Sequence, residues 1–364
     1  METKLEFNSK AYQVERYPKT DDKSLRAWSN AELLVLDYVA DKKTKNIHLF
    51  NDRFGIWNTV LNDKNCTTVW TYASQQKAIT KNLKLNDFSA DVVYKSPLDN
   101  LGLVELALLK VPKSLELFEL FLQQIHKTTN DKTEVVCGFM TKYFSASFLK
   151  IAELYFDEVE QTKAWKKARL LILKKPKQLI RYKELMHKIT WKDEYLCQYY
   201  GVFSSGKVDI GTQFLLENLI VKPSELKILD VASGNGVIAY DIEKQNTAAT
   251  LTLIDDFNLA VASSKLNLKA SKATFICDDN LQTLINENYD LVVSNPPFHF
   301  EHENNIEVAL SLFKDVKKCL KPEGRFVLVA NKHLNYKTHL EKLFTTVVEL
   351  ATNKKFVIYE CLKA

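Results

Sequence analysis

The sequence predicts an α/β protein made of two tandem domains, each built on a doubly wound parallel sheet. Strand and helix patterns alternate through the C-terminal half of the chain, and a fainter copy of that alternation occupies the N-terminal half. A length of 364 residues is enough for two domains of ordinary size. The 46% of hydrophobic residues and the 26% of charged residues are ordinary for a soluble globular protein.

Five short apolar runs in the C-terminal half are predicted to be strands. They cover residues 226–231, 250–254, 274–277, 291–293 and 325–329. Helical patterns follow the first two runs, over residues 237–242 and 259–268, and a turn at residues 321–324 precedes the fifth run. Alternation at this spacing predicts parallel strands joined by helices, with all the carboxyl ends of the strands on one edge of the sheet.

The N-terminal half repeats this order less clearly. A strand is predicted over residues 45–50, a turn at Gly55, a helix over residues 57–61 and a further strand over residues 106–109. This copy has one glycine in its first loop and no Asn-Pro-Pro sequence, so we interpret it as a duplicate that kept the fold and lost the chemistry. The predicted boundaries are a first domain at 1–175, a basic linker at 176–200 and a second domain at 201–364.

The first candidate site is the loop Asp230-Val231-Ala232-Ser233-Gly234-Asn235-Gly236. A strand that turns sharply into a helix through small residues lets a ligand lie against bare backbone. The chain holds nine glycines, so two of them in one loop are informative. The loop is neither G-x-G-x-x-G nor a P-loop, which disfavours a dinucleotide pyrophosphate. A tight turn without a ligand is the alternative.

Acidic residues end the next two predicted strands. Asp255 lies about 20 residues beyond the glycine loop, where it can accept hydrogen bonds from ribose hydroxyls; Asp256 is the alternative. Asp278 or Asp279 can accept from the exocyclic amine of adenine. One such acid is weak evidence because acids also cap helices. Acids on three strand ends predict a nucleoside site more specifically.

The fourth strand ends at Asn295-Pro296-Pro297-Phe298. Proline cannot donate to a sheet ladder, so the strand stops here and the backbone bends rigidly at the ligand edge. The side-chain carbonyl of Asn295 and the backbone carbonyl of Pro296 then present two acceptors, which suit the two donors of a planar amine. Phe298 offers a flat face for a base. A rigid turn without a ligand is the alternative.

These motifs, in this order, resemble the S-adenosylmethionine-dependent methyltransferases that modify amino groups. Further segments resemble the ribosomal RNA guanine-N2 methyltransferases, namely residues 202–204, 206–211, 260–264 and 329–336, with 49–55, 110–113 and 164–169 in the N-terminal half. The resemblance spans nearly the whole chain. At residues 333–336 and 351–356 it is closer to the large-subunit (23S) rRNA enzymes than to their small-subunit relatives.

The resemblance implies two tandem Rossmann-like class I methyltransferase domains, the N-terminal one degenerate, and S-adenosylmethionine as cofactor. It implies a catalytic corner of Asn295, Pro296, Pro297 and Phe298. The implied cofactor-binding residues are Asp209, Asp230, Ala232, Gly234, Gly236, Asp255, Asp256, Asp278, Asp279 and Asn295. The family usually has glycine at position 232 and often has cysteine at 233 and glycine at 239, so Ala232 is expected to crowd the cofactor if its φ must be positive.

The net charge is +5 but unevenly distributed. Residues 163–192 hold eleven Lys and Arg and one acid, so this stretch carries +10 and the rest of the chain −5. Such a segment is typical of a polyanion-binding surface, although a solvated face is the alternative. The predicted RNA-binding residues are Lys163, Lys166, Lys167, Arg169, Lys174, Lys175, Lys177 and Arg181. The predicted partner is ribosomal RNA, naked or in a partly assembled subunit, bound by a monomer.

Other classes of protein are disfavoured. The six cysteines form no C-x-x-C pair, which argues against a disulfide framework or a zinc site and favours a reducing cytoplasm. His299 and His302 have no third ligand at metal spacing, so no metal is predicted. No apolar run is long enough for a membrane span, and the N-terminus lacks the pattern of a signal peptide.

The Asn-Pro-Pro-aromatic corner leaves other functions open. Enzymes that methylate adenine N6 or a protein glutamine share it, and the basic stretch favours RNA over protein. A small-subunit rRNA enzyme, or an inactive methyltransferase used as an RNA-binding scaffold, are the remaining alternatives.

Overall fold

The computed structural model describes residues 2–20, 22–44, 46–268, 272–296 and 306–363. The chain divides into two compact units, Met1–Leu185 and Met186–Ala364. None of the helices in the described ranges combines the length and the apolar character that crossing a membrane requires.

The first unit contains nine of the strands and five of the α-helices that the structure describes. Its strands are β1 (Lys4–Phe7), β2 (Lys10–Gln13), β3 (Asn46–Phe50), β4 (Asn65–Val69), β5 (Val93–Lys95), β6 (Leu106–Lys110), β7 (Glu134–Met140), β8 (Phe156–Gln161) and β9 (Ala168–Pro176). Its helices are α1 (Asn30–Val39), α2 (Ile56–Val60), α3 (Ala73–Leu85), α4 (Leu115–His126) and α5 (Ala146–Tyr155), with a 3-10 turn at Thr141–Tyr143.

The second unit repeats these numbers within the described residues. Its strands are β10 (Met186–Trp191), β11 (Glu194–Tyr199), β12 (Lys227–Val231), β13 (Thr250–Asp255), β14 (Ala273–Cys277), β15 (Tyr289–Ser294), β16 (Leu320–Asn331), β17 (Thr346–Thr352) and β18 (Phe356–Leu362). Its helices are α6 (Ile210–Asn218), α7 (Val237–Gln245), α8 (Asn258–Asn267), α9 (Ile306–Cys319) and α10 (Lys337–Leu340), with 3-10 turns at Gln282–Leu284 and Lys332–Leu334.

Each unit is built on a seven-stranded sheet with the same topology. The strand order is β5-β4-β3-β6-β7-β9-β8 in the first unit and β14-β13-β12-β15-β16-β18-β17 in the second. The first five strands of each sheet pair in parallel, and the last two are joined to them and to each other by antiparallel pairing. The predicted parallel, doubly wound sheets are therefore confirmed, and the antiparallel pair at one edge is an addition. The strand order reverses beside β12, where ligands bind in such folds.

The duplication extends to single backbone positions. Phe50 pairs with Leu109 in the first sheet, and Val231 pairs with Ser294 in the second. The next residue along the chain, Asn51 or Ala232, has a φ of 58° or 57°. Four residues later Gly55 and Gly236, with φ of 73° and 81°, begin α2 and α7. Register and torsion angles thus give a residue-by-residue equivalence between the units.

Both faces of the second sheet are buried at its centre. Leu291 and Val293 of β15 belong to one hydrophobic cluster and Val292 to another on the opposite face. All three side chains are fully buried. A parallel strand covered by helices on both faces reads as an uninterrupted apolar run, which is why residues 291–293 were recognisable as a strand.

The predicted turn at residues 321–324 lies inside β16 as a bulge. Tyr289 pairs with Leu320 but Leu291 pairs with Arg325, so the two strands are out of step by three residues there. Glu323 has a φ of 62°, and its N–H donates to the carbonyl of Lys363. The extra residues therefore interrupt the pairing with β15, and Glu323 and Gly324 pair with Lys363 in the C-terminal segment.

Residues 176–200 were predicted to be a linker, but most of them form the hairpin β10–β11. The hairpin packs on α8 through Asn267, whose side chain bonds both backbone groups of Cys197 and donates to the carbonyl of Asn235. The charged residues of the hairpin obscured its strand pattern in the sequence. The first unit has the same arrangement, because Asn82 of α3 bonds both backbone groups of Glu15 and donates to the carbonyl of Phe54.

Candidate active site

The loop after β12 is held open by backbone conformation. Ala232 and Gly234 have φ of 57° and 56°, and Gly236 caps α7 with φ of 81°. Among the described residues, no atom lies within 4 Å of a Cβ placed on Gly234, whereas one on Gly236 would lie 3.1 Å from the Cβ of Ser264. Gly236 therefore permits close packing of α7 on α8, and Gly234 borders open space in which a ligand can approach the backbone.

Ala232 was expected to crowd the cofactor if its φ were positive, and it is positive. In this conformation the Cβ of an L-residue costs roughly 1–2 kcal/mol. The strained position lies in the loop that the sequence assigns to the cofactor.

Asp230 is a buried carboxylate that lacks one partner. Its Oδ2 accepts the N–H of Ala239 at 3.2 Å. Among the described residues its Oδ1 has no hydrogen-bond partner. Burial raises the pKa of Asp230 to about 8, with a smaller contribution from the nearby charge of Asp255. An unpaired carboxyl oxygen beside an open glycine loop fits a ligand that carries a positive charge or N–H donors, as the amino group of S-adenosylmethionine does.

Asp255 ends β13 and holds the same loop. Its Oδ2 accepts the N–H of Gly234 and its Oδ1 accepts the N–H of Phe257, both at 2.9 Å. Part of the side chain reaches the surface. The protein atoms around the carboxylate nevertheless raise its pKa, to about 6, mainly by desolvation. Each oxygen keeps a second lone pair, so the carboxylate can still accept from hydroxyl groups of a ligand.

The acids of the neighbouring strand end lie beside Asp255. The N–H of Asp278 donates to the carbonyl of Asp255 at 3.1 Å. Asp256, Asp278 and Asp279 are all half-buried. The structure thus brings the predicted acids of β13 and β14 together at the carboxyl edge of the sheet, next to the glycine loop.

The amide of Asn295 follows β15 directly and is held by the start of α6. Its Nδ2 donates to the Oγ1 of Thr212 at 2.8 Å and to the Oδ2 of Asp209 at 3.2 Å. That same Asp209 oxygen caps α6 by accepting the N–H groups of Gly211 and Thr212. Asp209, predicted to bind the cofactor, therefore contacts Asn295, and Thr212 is a site residue that the sequence analysis missed.

The remainder of the catalytic corner is only partly described. Ser294 is buried and donates its hydroxyl to the carbonyl of Val231, which joins the ends of β15 and β12. Pro296 is in the described part of the chain. Pro297 and Phe298, like His299 and His302, lie outside the described residues.

The equivalent positions of the first unit carry different chemistry. By register, Leu49 replaces Asp230 and Trp70 replaces Asp255. Lys110 replaces Asn295 and forms an ion pair with Glu32 of α1. Its Nζ also donates to the Oγ of Ser29 at 2.6 Å. Without the acids of the second unit, and with an ion pair in the position of the amide, the first unit lacks the residues of this site.

The basic residues fall into two groups at opposite ends of β9. Lys163, Lys166 and Lys167 lie in the exposed turn between β8 and β9. Arg169 follows and donates to the side chain of Gln161. At the far end the lysines are paired with acids, Lys174 with Glu134, Lys175 with Glu158 and Lys177 with Asp157. Arg181 is exposed beyond them.

No group of three or more His, Cys, Asp or Glu residues that could hold a metal ion occurs within the described ranges.

Two family models match the chain, one per unit. Residues 2–178 match the RLMG N-terminal domain, and residues 194–360 match the methyltransferase small domain.

The whole chain is similar in fold to the 16S rRNA N2 guanine methyltransferase (RsmC) of T. thermophilus, solved with S-adenosylmethionine and guanosine. That likeness has a TM-score of 0.80 and 20% identity, and covers 100% of this chain and 98% of the other. A precorrin-6y C5,15-methyltransferase from Geobacter metallireducens matches 48% of this chain and 96% of its own, with a TM-score of 0.36 and 16% identity.

Proposed function

Because this chain belongs to the S-adenosylmethionine-dependent methyltransferases that join an RLMG N-terminal domain to a methyltransferase small domain, we propose that it methylates the exocyclic N2 amine of a guanine in ribosomal RNA. The resemblance to the ribosomal RNA guanine-N2 methyltransferases as a family is confirmed by the two family models, and the tandem Rossmann-like fold by the similarity over the full chain.

One observation carries the proposed chemistry. Val231 pairs with Ser294, so the cofactor loop and Asn295 leave neighbouring strands at the same edge of the sheet. Neighbouring strands lie about 4.8 Å apart. A cofactor on the loop and an amine on Asn295 are therefore within reach of each other, as methyl transfer requires.

In the second unit, one set of residues would bind the cofactor and another would bind the substrate amine. Asp230, the backbone at Gly234 and Asp255 would hold S-adenosylmethionine, with Asp256, Asp278 and Asp279 beside them. When bound, that cofactor supplies a methyl group activated by its sulfonium. The carbonyl oxygens of Asn295 and Pro296 accept the two amine hydrogens and turn the nitrogen lone pair toward the methyl group. Transfer would leave the nitrogen positively charged and therefore acidic, so one of its protons can leave to water and no dedicated base is needed.

We assign the substrate to the large-subunit (23S) rRNA. The segments at residues 333–336 and 351–356, which resemble the large-subunit enzymes, support this choice over the small subunit. The six cysteines are free thiols, and three of them are buried, in keeping with a reducing cytoplasm where ribosomal RNA is modified.

RNA contact is assigned to the turn between β8 and β9. Trp165 is 40% exposed, and the Nζ of Lys166 lies 4.7 Å from its ring centroid. The turn is rigidly held, because the carbonyl of Lys166 accepts from Asn30 and that of Lys167 from the N–H of Thr141. An exposed ring among ordered lysines suits stacking of an unpaired base beside bound phosphates.

Tyr143 extends this surface at the end of β7. It is 45% exposed, with the Nζ of Lys142 at 5.3 Å from its ring. The lysines at the other end of β9 are left outside the proposed surface because each already contacts an acid.

The test is an assay of methyl transfer from labelled S-adenosylmethionine to naked 23S rRNA, naked 16S rRNA and both assembled subunits. We expect label on 23S rRNA, recovered by mass spectrometry as N2-methylguanosine. Label only on 16S rRNA would refute the subunit assignment. N6-methyladenosine as the product would refute the choice of base, and cofactor binding without transfer to any of the four would favour an RNA-binding scaffold.

A further inference from the structure

The amide of Asn295 has two orientations that differ by exchanging its oxygen and its nitrogen. Only one of them presents an acceptor to a substrate amine. We propose that Asp209 and Thr212 are positioning residues that fix this orientation, so that the Oδ1 of Asn295 faces the amine that is methylated. This inference rests on the proposed function and adds the residues that select an amine as the methylated group.

The chemistry of Asp209 decides the orientation. An ionised carboxylate can only accept hydrogen bonds. The amide must therefore turn its NH2 toward Asp209, and a flipped amide would bring its oxygen against the carboxylate. At 3.2 Å and 2.8 Å, the Oδ2 of Asp209 and the Oγ1 of Thr212 are placed to take one amide hydrogen each. The Oδ1 of Asn295 is then left to face away from α6.

The start of α6 is rigid enough to impose that orientation. The Oδ2 of Asp209 is fixed by the N–H groups of Gly211 and Thr212, at 2.8 Å and 3.1 Å. A Cβ on Gly211 would lie 3.0 Å from that oxygen and 3.1 Å from the ring of Phe356. Thr212 is buried, with 6% of its surface exposed. The two acceptors are thus packed in place before a substrate arrives.

The first unit supplies an independent observation. Ser29 caps α1 as Asp209 caps α6, and Glu32 stands three residues into its helix as Thr212 does. Together they hold Lys110, the register equivalent of Asn295. Contact between the start of this helix and the carboxyl end of this strand is therefore a feature of the duplicated fold. The side chain at the strand end decides whether the position is closed by an ion pair or presents a carbonyl oxygen.

This arrangement discriminates between groups on one base. With both amide hydrogens engaged by the protein, Asn295 has only acceptor lone pairs to offer. A guanine O6 or N7 would meet an acceptor and be rejected, whereas the N2 amine finds a partner. Donation to a carboxylate also polarises the amide and strengthens its oxygen as an acceptor.

Thr212 gives the cleanest test because valine keeps its shape and serine keeps its hydroxyl. In single-turnover transfer we expect Thr212→Val to be about 10-fold slower, the effect of one hydrogen bond, and Thr212→Ser to restore most of the rate. Asp209→Ser keeps a helix-capping hydroxyl but is too short to reach Asn295, and should be slowed about 10- to 100-fold. The dissociation constant for S-adenosylmethionine and the unfolding temperature should change little in the Thr212 variants.

A readout independent of the substrate is hydrogen exchange of the Asn295 side-chain NH2, identified by its absence in Asn295→Asp. It should be slow in the parent protein and in Thr212→Ser, and fast in Thr212→Val. A parental transfer rate in Thr212→Val would overturn the inference, as would equally fast exchange in all three proteins. Loss of cofactor affinity in Asp209→Ser without a slower transfer step would return Asp209 to the cofactor site. If the parent protein transferred no methyl group to guanine, the proposed function would fail while the exchange result still decided the orientation of the amide.

Discussion

The backbone N–H of Gly234 donates to the Oδ2 of Asp255 at 2.9 Å, so the carboxylate assigned to the ribose also shapes the glycine loop. We expect Asp255→Ala to weaken S-adenosylmethionine binding by roughly 1.5–3 kcal/mol, the scale of hydrogen bonds to a charged group. Calorimetry of the two proteins measures the difference. An unchanged dissociation constant would place the ribose elsewhere, with Asp256 as the next candidate.

Asn295→Ala removes the acceptor for the amine and leaves the loop after β12 untouched. Methyl transfer should fall on the order of 10²-fold or more, with cofactor affinity nearly unchanged, because one oriented hydrogen bond at a reacting centre has about that effect. The measurements are a single-turnover rate and a cofactor titration. Turnover at the parental rate would rule out the amine-binding role of this residue.

Asp230→Asn tests two separate effects of the buried carboxyl group, one on the free energy of unfolding and one on cofactor binding. The folded-state pKa of Asp230 is raised to about 8, whereas an unfolded Asp titrates near pH 4. The carboxyl therefore favours the folded state at acid pH, and that contribution is lost as the pH rises toward 8. Asparagine cannot ionise, so the stability advantage of the variant should be small at pH 4 and grow until about pH 8.

Urea unfolding at pH 4.5, 6 and 8.5 measures that advantage, and cofactor binding at pH 8 should weaken in the same variant. The control is Asp255→Asn, whose advantage should level off near pH 6 because the pKa of Asp255 is raised only to about 6. A constant difference across the pH range for Asp230→Asn would contradict the burial of an ionisable group at this position.

Ala232→Gly should relieve the strained backbone of the cofactor loop. We expect a net gain of about 0.5–1 kcal/mol in the free energy of unfolding, since relief of the left-handed Cβ exceeds the added entropy of the unfolded chain. The matched control is Ala239→Gly inside α7, which should lose about 0.5–1 kcal/mol. Chemical denaturation compares the pair, and destabilisation by Ala232→Gly would show that the methyl group makes a favourable contact there.

Two triple variants, each of which removes three positive charges, compare the contributions of the two ends of β9 to RNA binding. Changing Lys163, Lys166 and Lys167 to Gln should weaken RNA binding and flatten the plot of log K against log salt by about 0.7–0.9 for each phosphate that the protein no longer neutralises. Changing Lys174, Lys175 and Lys177 to Gln should leave that slope nearly as it was. Trp165→Ala should lower affinity without altering the slope. Equal slopes in both triple variants would mean that the turn between β8 and β9 is not the RNA surface.

The central part of each sheet was predictable because its strands are buried on both faces. Residues 291–293 are an uninterrupted apolar run for that reason, and the strand end beyond them carries polar residues of the site. The edge strand β17 was not predicted, since most of its side chains face solvent and its sequence lacks a clear alternation. The hairpin β10–β11 was hidden by its lysines, which look like a solvated linker in the sequence.

That Asp230, Asp255 and Asn295 lie at the same edge of the sheet was predictable, because the carboxyl ends of neighbouring parallel strands must meet there. The support of Asn295 was not. Thr212 and Asp209 lie 83 and 86 residues before it in the chain, and no local pattern tells which helix cap will face which strand end. That pairing emerges only when α6 is packed against the sheet.

The packing of the hairpin β10–β11 on α8 has a consequence for producing the two halves of the protein separately. Gln198 accepts from the side chain of Asn235, and Asn267 ties Cys197 to the carbonyl of the same loop residue. A catalytic fragment begun at residue 201, where the sequence alone places the border, would leave the amide groups of Asn235 and Asn267 without these partners. A fragment that begins at Met186, the first residue of the second unit, keeps the hairpin together with the cofactor loop that it supports.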